Sequence, residues 1–255
     1  MKEYGCFQAM YMSFYSRRLY RDVAKNWGIG VVFYLFVLLA LCWIAMMFKI
    51  QPVINTSFKS FANQIAPQVP EITIVNGIAS TPEKKPYFIK DPDKNTVFAI
   101  IDTSGQYKDI SSAPQGTVLL MTSTTLTFVD KSDTRIVKFP TTLNMDIKPE
   151  VVKTKMIHFV GWGWVLILPF MILVSLIYRL IQALIYAVFG LIFVATTGAR
   201  LTYGETVKLS MIAVTPAIIL GTVLSWFDIA FHFQMLLYFV LAMVYLFFAV
   251  KSNKN

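Results

Sequence analysis

The feature that most constrains this chain is residues 28–48, a run of 21 positions without one charged side chain. Wound as an α-helix it would be about 30 Å long, the thickness of a bilayer's hydrocarbon core. Further apolar runs follow at 159–178, 209–227 and 233–250, with a shorter one at 181–196. The composition agrees: 56% of the 255 residues are hydrophobic and 15% charged, where a soluble domain carries about 25% charged residues. These figures exclude a disordered chain, an ordinary nucleic-acid module and a single soluble enzyme domain. The expected partner of the apolar runs is a lipid bilayer.

No small-residue cleavage site follows the first run. Lys49 and Gln51-Pro52 come next, and the apolar stretch is longer than a signal peptide's. An uncleaved signal-anchor is therefore predicted over 28–48. Arg17, Arg18, Arg21 and Lys25 precede it and place the N-terminus in the cytoplasm. Basic residues at 17, 21 and 25 share one helix face, with Phe7, Met10, Tyr11 and Phe14 before them. Residues 1–27 thus read as a basic amphipathic segment on the inner membrane surface, or as a plain polar lead-in to the span.

Residues 49–157 are predicted to lie outside. Val53, Ile54, Phe58, Phe61, Ala62 and Ile65 keep a helical spacing that extends the first helix to Pro67. Short β-rich runs follow at 72–75, 87–89, 96–101, 118–121, 126–129 and 135–139. Asn76-Gly77, the polar stretch 91–95 and residues 130–134 are read as turns. A last helix begins at Pro149. Residues 49–158 hold thirteen basic and ten acidic side chains, well mixed, so no nucleic-acid footprint is expected. The only cysteines, Cys6 and Cys42, lie outside this segment, and no disulfide staples it.

In the second half, Trp162 and Trp164 mark an outer interface and Arg179 the inner end of the span 159–178. Arg200, Lys251 and Lys254 serve as further cytoplasmic anchors. As a re-entrant or surface-lying helix, or a bent extension of span two, 181–196 leaves four spans and all these charges fall inside; as a full span it makes five. The positive-inside rule favours four. The predicted fold is an α-helical polytopic membrane protein with a small α+β extracytoplasmic domain between spans one and two. Its parts are 1–27, 28–48, 49–157, the bundle 158–250 and a cytoplasmic tail 251–255.

Candidate chemistry is sparse. Residues 97–105 end in Asp102-Thr103-Ser104-Gly105, reminiscent of an aspartic-protease loop. Ser104 interrupts that pattern, and no second copy exists to share a proton. A buried strand ending in a turn explains it better. His158 and His232 are the two histidines, with Asp228 one helical turn before His232. Nothing in that spacing requires a metal, and no metal or cofactor is expected. Arg179, Glu205, Lys208 and Asp228 all fall near predicted span ends. Uncharged span centres argue against an ion-coupled carrier. Pro216 beside Thr215 reads as a kink.

The order of these elements resembles a bacterial membrane family of unknown function, some of whose members bear a maltodextrin-utilisation label. Phe14-Tyr15-Ser16 with the basic residues 17–21, the strand 97–103 with its IDTS ending, and Tyr203-Gly204-Glu205 leading to Thr215-Pro216 carry the resemblance. The C-terminal helices are also distantly similar to the Yip family of membrane adaptors. Neither resemblance supplies catalytic residues. The missing catalytic constellation and the uncharged span centres point to a non-enzymatic integral protein of the bacterial cell membrane, whose outer domain binds or senses a membrane-protein partner. It would be an accessory to a transport or envelope complex, with sugar uptake as one setting. The alternative is a transporter or lipid-handling conduit formed by the helices.

Overall fold

The computed structural model describes residues 2–130 and 133–254. Its contacts divide it into two compact units: one comprises the chain up to Gln51 and from Trp164 onward, the other Pro52–Gly163.

In the first unit, α1 (Cys6–Met12) and α2 (Arg17–Asn26) are separate helices. The continuous amphipathic segment expected from the sequence is interrupted because Ser16 caps a new helix. Its hydroxyl accepts the Leu19 N–H at 3.3 Å, satisfying a donor that an unbroken helix would have used. The segment is also packed against protein. Leu19, Tyr20, Val23 and Ala24 are fully buried where α2 meets α5 (Tyr203–Ala213) and α7 (Gln234–Ser252). Burying a side chain such as Leu19 contributes about 2 kcal/mol. The basic face stays at the rim. Arg21 donates to the Ser252 carbonyl at 2.5 Å, at the end of α7, and Lys208 donates to the Ala24 carbonyl. Cations at helix C-termini complement the exposed carbonyls there.

Helix α3 (Gly30–Ile65) is unbroken for 36 residues despite Pro52. Helix α4 (Pro149–Thr197) runs for 49 residues, about 74 Å at the standard rise. Residues 159–178 and 181–196, read from sequence as two segments, are parts of this one helix. Nothing between them breaks it: Arg179 and Leu180 are both good helix formers. Helices α5 and α6 (Thr215–Trp226) meet at Val214, where Pro216 sits in the first turn of α6. Proline is tolerated there because its missing N–H needs no partner. Four helical stretches, Gly30–Gln68, Pro149–Thr197, Tyr203–Trp226 and Gln234–Ser252, are long and apolar enough to cross a membrane.

The second unit carries two sheets. One is antiparallel with order β2-β1-β8, from β1 (Ile72–Val75), β2 (Ile78–Ser80) and β8 (Met145–Ile147). The other has order β3-β4-β5-β6-β7. It is built from β3 (Tyr87–Lys90), β4 (Val97–Ile101), β5 (Leu119–Met121), β6 (Thr125–Asp130) and β7 (Asp133–Lys138). Among the described residues only β4 and β5 pair in parallel, so a crossover of residues 102–118 joins them. β4 is a continuous apolar run because it is central and buried at Ala99, Ile100 and Ile101. The expected turn at Asn76-Gly77 joins β1 to β2. Asn76 has φ 50° and Gly77 φ 76°. A Cβ on Gly77 would meet the Pro140 carbonyl oxygen at 2.6 Å, so glycine is required on both counts. Of the expected turn 130–134, residues 131 and 132 lie outside the described residues.

Candidate functional site

The sequence candidates separate into groups that the fold treats differently. Asp102 ends β4 and is fully buried. Its Oδ1 accepts from the Ser104 N–H at 2.8 Å and the Ser104 hydroxyl at 2.6 Å; its Oδ2 accepts from the Tyr107 N–H at 2.6 Å. Its own N–H donates to the Met121 carbonyl at 2.8 Å. Burial raises the carboxyl pKa, but these donors outweigh it and hold the group below the usual aspartate range. The carboxylate pins the start of the β4–β5 crossover. Ser104, which spoils the protease-like pattern, is one of its donors.

Asp228 pairs with Lys49 at 2.6 Å, and Lys49 also donates to the Ser225 carbonyl at 2.8 Å. Asp228 is largely exposed, so the pair contributes at most about 1 kcal/mol. It closes one end of the bundle. His158 belongs to the other unit, and among the described residues no group of three or more His, Cys, Asp or Glu side chains converges as a metal site would need. Pro216 is buried, and neighbouring Thr215 shares a 2.8 Å hydrogen bond with the buried Tyr34 hydroxyl.

At the opposite end of the bundle, Arg21, Lys25, Arg200 and Lys254 surround one cavity of about 420 Å³. The acid there, Glu205, accepts from the Thr202 N–H and hydroxyl as the capping box of α5. Asp22, which sequence reading passed over, is nearly buried beneath the same basic helix. It accepts from Asn26 and Trp27 side chains at 2.7 Å each and from the Glu3 N–H at 3.1 Å. Burial works against its charged form, yet these bonds hold its pKa below the usual value. The Asp22, Asn26 and Trp27 spacing at i, i+4 and i+5 was the available signal.

Arg179 differs most from expectation. Predicted to mark the inner end of the span 159–178, it lies inside α4 and lines a cavity of about 400 Å³ with residues of α3, α6 and α7. Trp43 donates to the Ser175 hydroxyl at 2.8 Å and fixes the register of α3 against α4. Trp43 is about 9 Å along α3 from Lys49, and Arg179 is about 6 Å beyond Ser175. Gly30 and Lys49 are about 29 Å apart on the same helix. Arg179 therefore sits half-way along the bundle. The sequence misled because the apolar run appears to stop at Tyr178, whereas α4 continues apolar to Val194. The guanidinium donates to Gln182 Oε1 at 2.6 Å, and Gln182 donates to the Tyr186 hydroxyl at 2.8 Å. Among the described residues no carboxylate pairs with it.

The outer strand of the five-stranded sheet is the remaining candidate surface. All six residues of β7 are exposed, including Ile136 at 62% and Val137 at 52%. β7 pairs with β6 on one side only.

A bundle of long apolar helices with a two-sheet α+β unit between its first and second members defines the class of protein at hand. The chain matches the family described as "Protein of unknown function (DUF1189)" over residues 7–250, and it belongs to that family. No curated protein and no solved structure matches it significantly.

Proposed function

We infer that this chain is a multi-pass protein of the bacterial cell membrane. Its four crossings would be α3, α4, α5 with α6, and α7, with a cytoplasmic N-terminus and the Pro52–Gly163 unit outside. The outer unit binds a protein partner, and the bundle anchors that complex. The observation that carries this reading is β7. A fully exposed edge strand with unpaired backbone groups and apolar side chains is a template for strand addition. The partner is read as presenting an extended segment. The resemblance to maltodextrin-utilisation and Yip-type proteins makes a sugar-uptake or other envelope complex its natural setting. The role is non-enzymatic: Asp102, the best acid candidate, is committed to its loop.

A photo-crosslinking amino acid at position 136 of the full chain, in intact cells, tests it. The expected product is one protein adduct in stoichiometric yield, lost when Val137 is changed to Lys. That substitution falls on an exposed site and should alter stability by less than about 0.5 kcal/mol. Adducts with lipid alone, or adducts indifferent to Val137→Lys, would refute the reading. The conduit reading draws on a different observation, the cavity beside α4.

A further inference from the structure

An arginine half-way along an apolar bundle needs an explanation, because apolar surroundings disfavour an unpaired charge and ionisable groups at such depths mark functional sites. Arg179 has one acceptor, the neutral Gln182 amide oxygen. Its remaining N–H donors have no carboxylate to meet among the described residues.

The rest of the cavity is equally one-sided. Ser175 accepts a hydrogen bond from Trp43 through its oxygen, which leaves its O–H free to donate. Tyr238 accepts from Gln234, which likewise frees its phenolic hydrogen. Gly221 is what allows Tyr238 in: a Cβ there would stand 3.2 Å from the Tyr238 ring carbon and hydroxyl oxygen. Two helices, α4 and α7, therefore present donors to a common space, and none of the cavity-lining residues is a carboxylate. Such a donor set suits an oxyanion.

The remaining walls are apolar, from Leu39, Met46, Ile50 and Ile218. Helix α4 covers the cavity loosely. Around Arg179 its side chains are largely exposed, with Leu173 at 53%, Ile177 at 59% and Ile181 at 53%. A chain-bearing molecule can reach the cavity between helices.

We propose that the Arg179 cavity binds an amphiphilic anion. Its carboxylate or phosphate head sits on the Arg179 guanidinium, with the Ser175 and Tyr238 hydroxyls as further donors, and its hydrocarbon body lies along Leu39, Met46 and Ile218. The head group is shared by free fatty acids and anionic phospholipids. The proposal does not depend on the partner-binding role of β7, and neither Ile136 nor Val137 enters its test.

The experiment uses the full-length protein, delipidated in neutral detergent, with binding followed by native mass spectrometry. Oleate, dioleoylphosphatidylglycerol, oleyl alcohol and inorganic phosphate are the probes. Wild type should retain one oleate or one phosphatidylglycerol per chain and bind oleyl alcohol at least 10-fold more weakly. Preference for one of the two anions identifies the source of the head group. Arg179→Gln should lose at least 10-fold for the anions and leave oleyl alcohol unchanged; Arg179→Lys should restore part of the loss. If Arg179→Gln does not fold, the oleate-to-oleyl alcohol ratio of the wild type and the weaker oleate binding expected of Tyr238→Phe still decide the matter. Equal binding of oleate and oleyl alcohol by wild type would overturn the proposal. So would unchanged oleate binding in a folded Arg179→Gln, or inorganic phosphate displacing oleate at equal concentration.

Discussion

A buried carboxylate that accepts three hydrogen bonds is a stabilising device with a pH signature, and Asp102 is one. Bonds to a charged acceptor contribute about 1.5–3 kcal/mol each in favourable settings. Asp102→Ala should therefore cost the second unit about 2 kcal/mol or more, since it leaves the Tyr107 and Ser104 N–H groups without their acceptor. Hydrogen exchange of the full-length protein should show amides of residues 97–121 opening roughly 30-fold faster. Exchange that is unchanged there would remove Asp102 from the unit's support. The pH dependence has a definite sign. The folded pKa is depressed, so the stabilisation is fully present above the unfolded value of about 3.9 and fades as pH falls through the lower folded value. Asp102→Asn should flatten that acid limb while leaving stability at neutral pH lower than wild type. The sequence revealed the residue and its turn. It did not reveal which bonds the carboxylate accepts, because those depend on how the crossover folds back over β4.

At the scale of elements, strongly patterned segments were legible and closely packed ones were not. β1 occupies the expected residues 72–75, and the helix starting at Pro149 begins where its proline placed it. β2 and β8 went unread because each is only three residues long and interrupted by a small or charged residue, whereas the equally short β5 lies in a continuous apolar run and was read. Hydropathy alone does not say which part of the over-long apolar helix α4 faces the bundle. Gly190 shows what does. A Cβ at this position would clash with Thr206 Cγ2 and stand 3.3 Å from Leu246 Cδ2, so α4 closes on α5 and α7 only through a glycine. Gly190→Ala should overpack this crossing by about 1–3 kcal/mol, lowering the melting temperature of the detergent-solubilised protein by roughly 3–10 °C. Thr206→Ser removes the offending methyl, so the double substitution should recover most of the loss. A double variant no better than Gly190→Ala would show that the contact is not what limits the approach.

At the scale of the whole molecule, the ends of the chain decide the topology. Arg21 precedes the first long helix and donates to the Ser252 carbonyl, at the end of the last one, at 2.5 Å. Asn253 also reaches the Tyr20 carbonyl at 3.4 Å. The segment before α3 and the tail after α7 therefore share one end of the bundle, and the crossings between them must be even in number. The sequence left four and five open because its tail carries only Lys251 and Lys254 as charge signals; a single unbroken α4 and a shared end support the four crossings proposed above. With the bundle in a bacterial membrane, Arg21, Lys25, Arg200 and Lys254 gather on the cytoplasmic side, and the Lys49–Asp228 pair lies at the other face. Single cysteines in a Cys6→Ser, Cys42→Ser background report this directly. A membrane-impermeant maleimide applied to intact cells should label cysteine at position 231 and in the β3–β4 turn at position 94. It should spare positions 25 and 254 until the cells are opened. Labelling of position 254 but not of position 25 in intact cells would require an odd number of crossings and would break the contact between Arg21 and Ser252 on which the whole arrangement depends; labelling of both would invert the orientation.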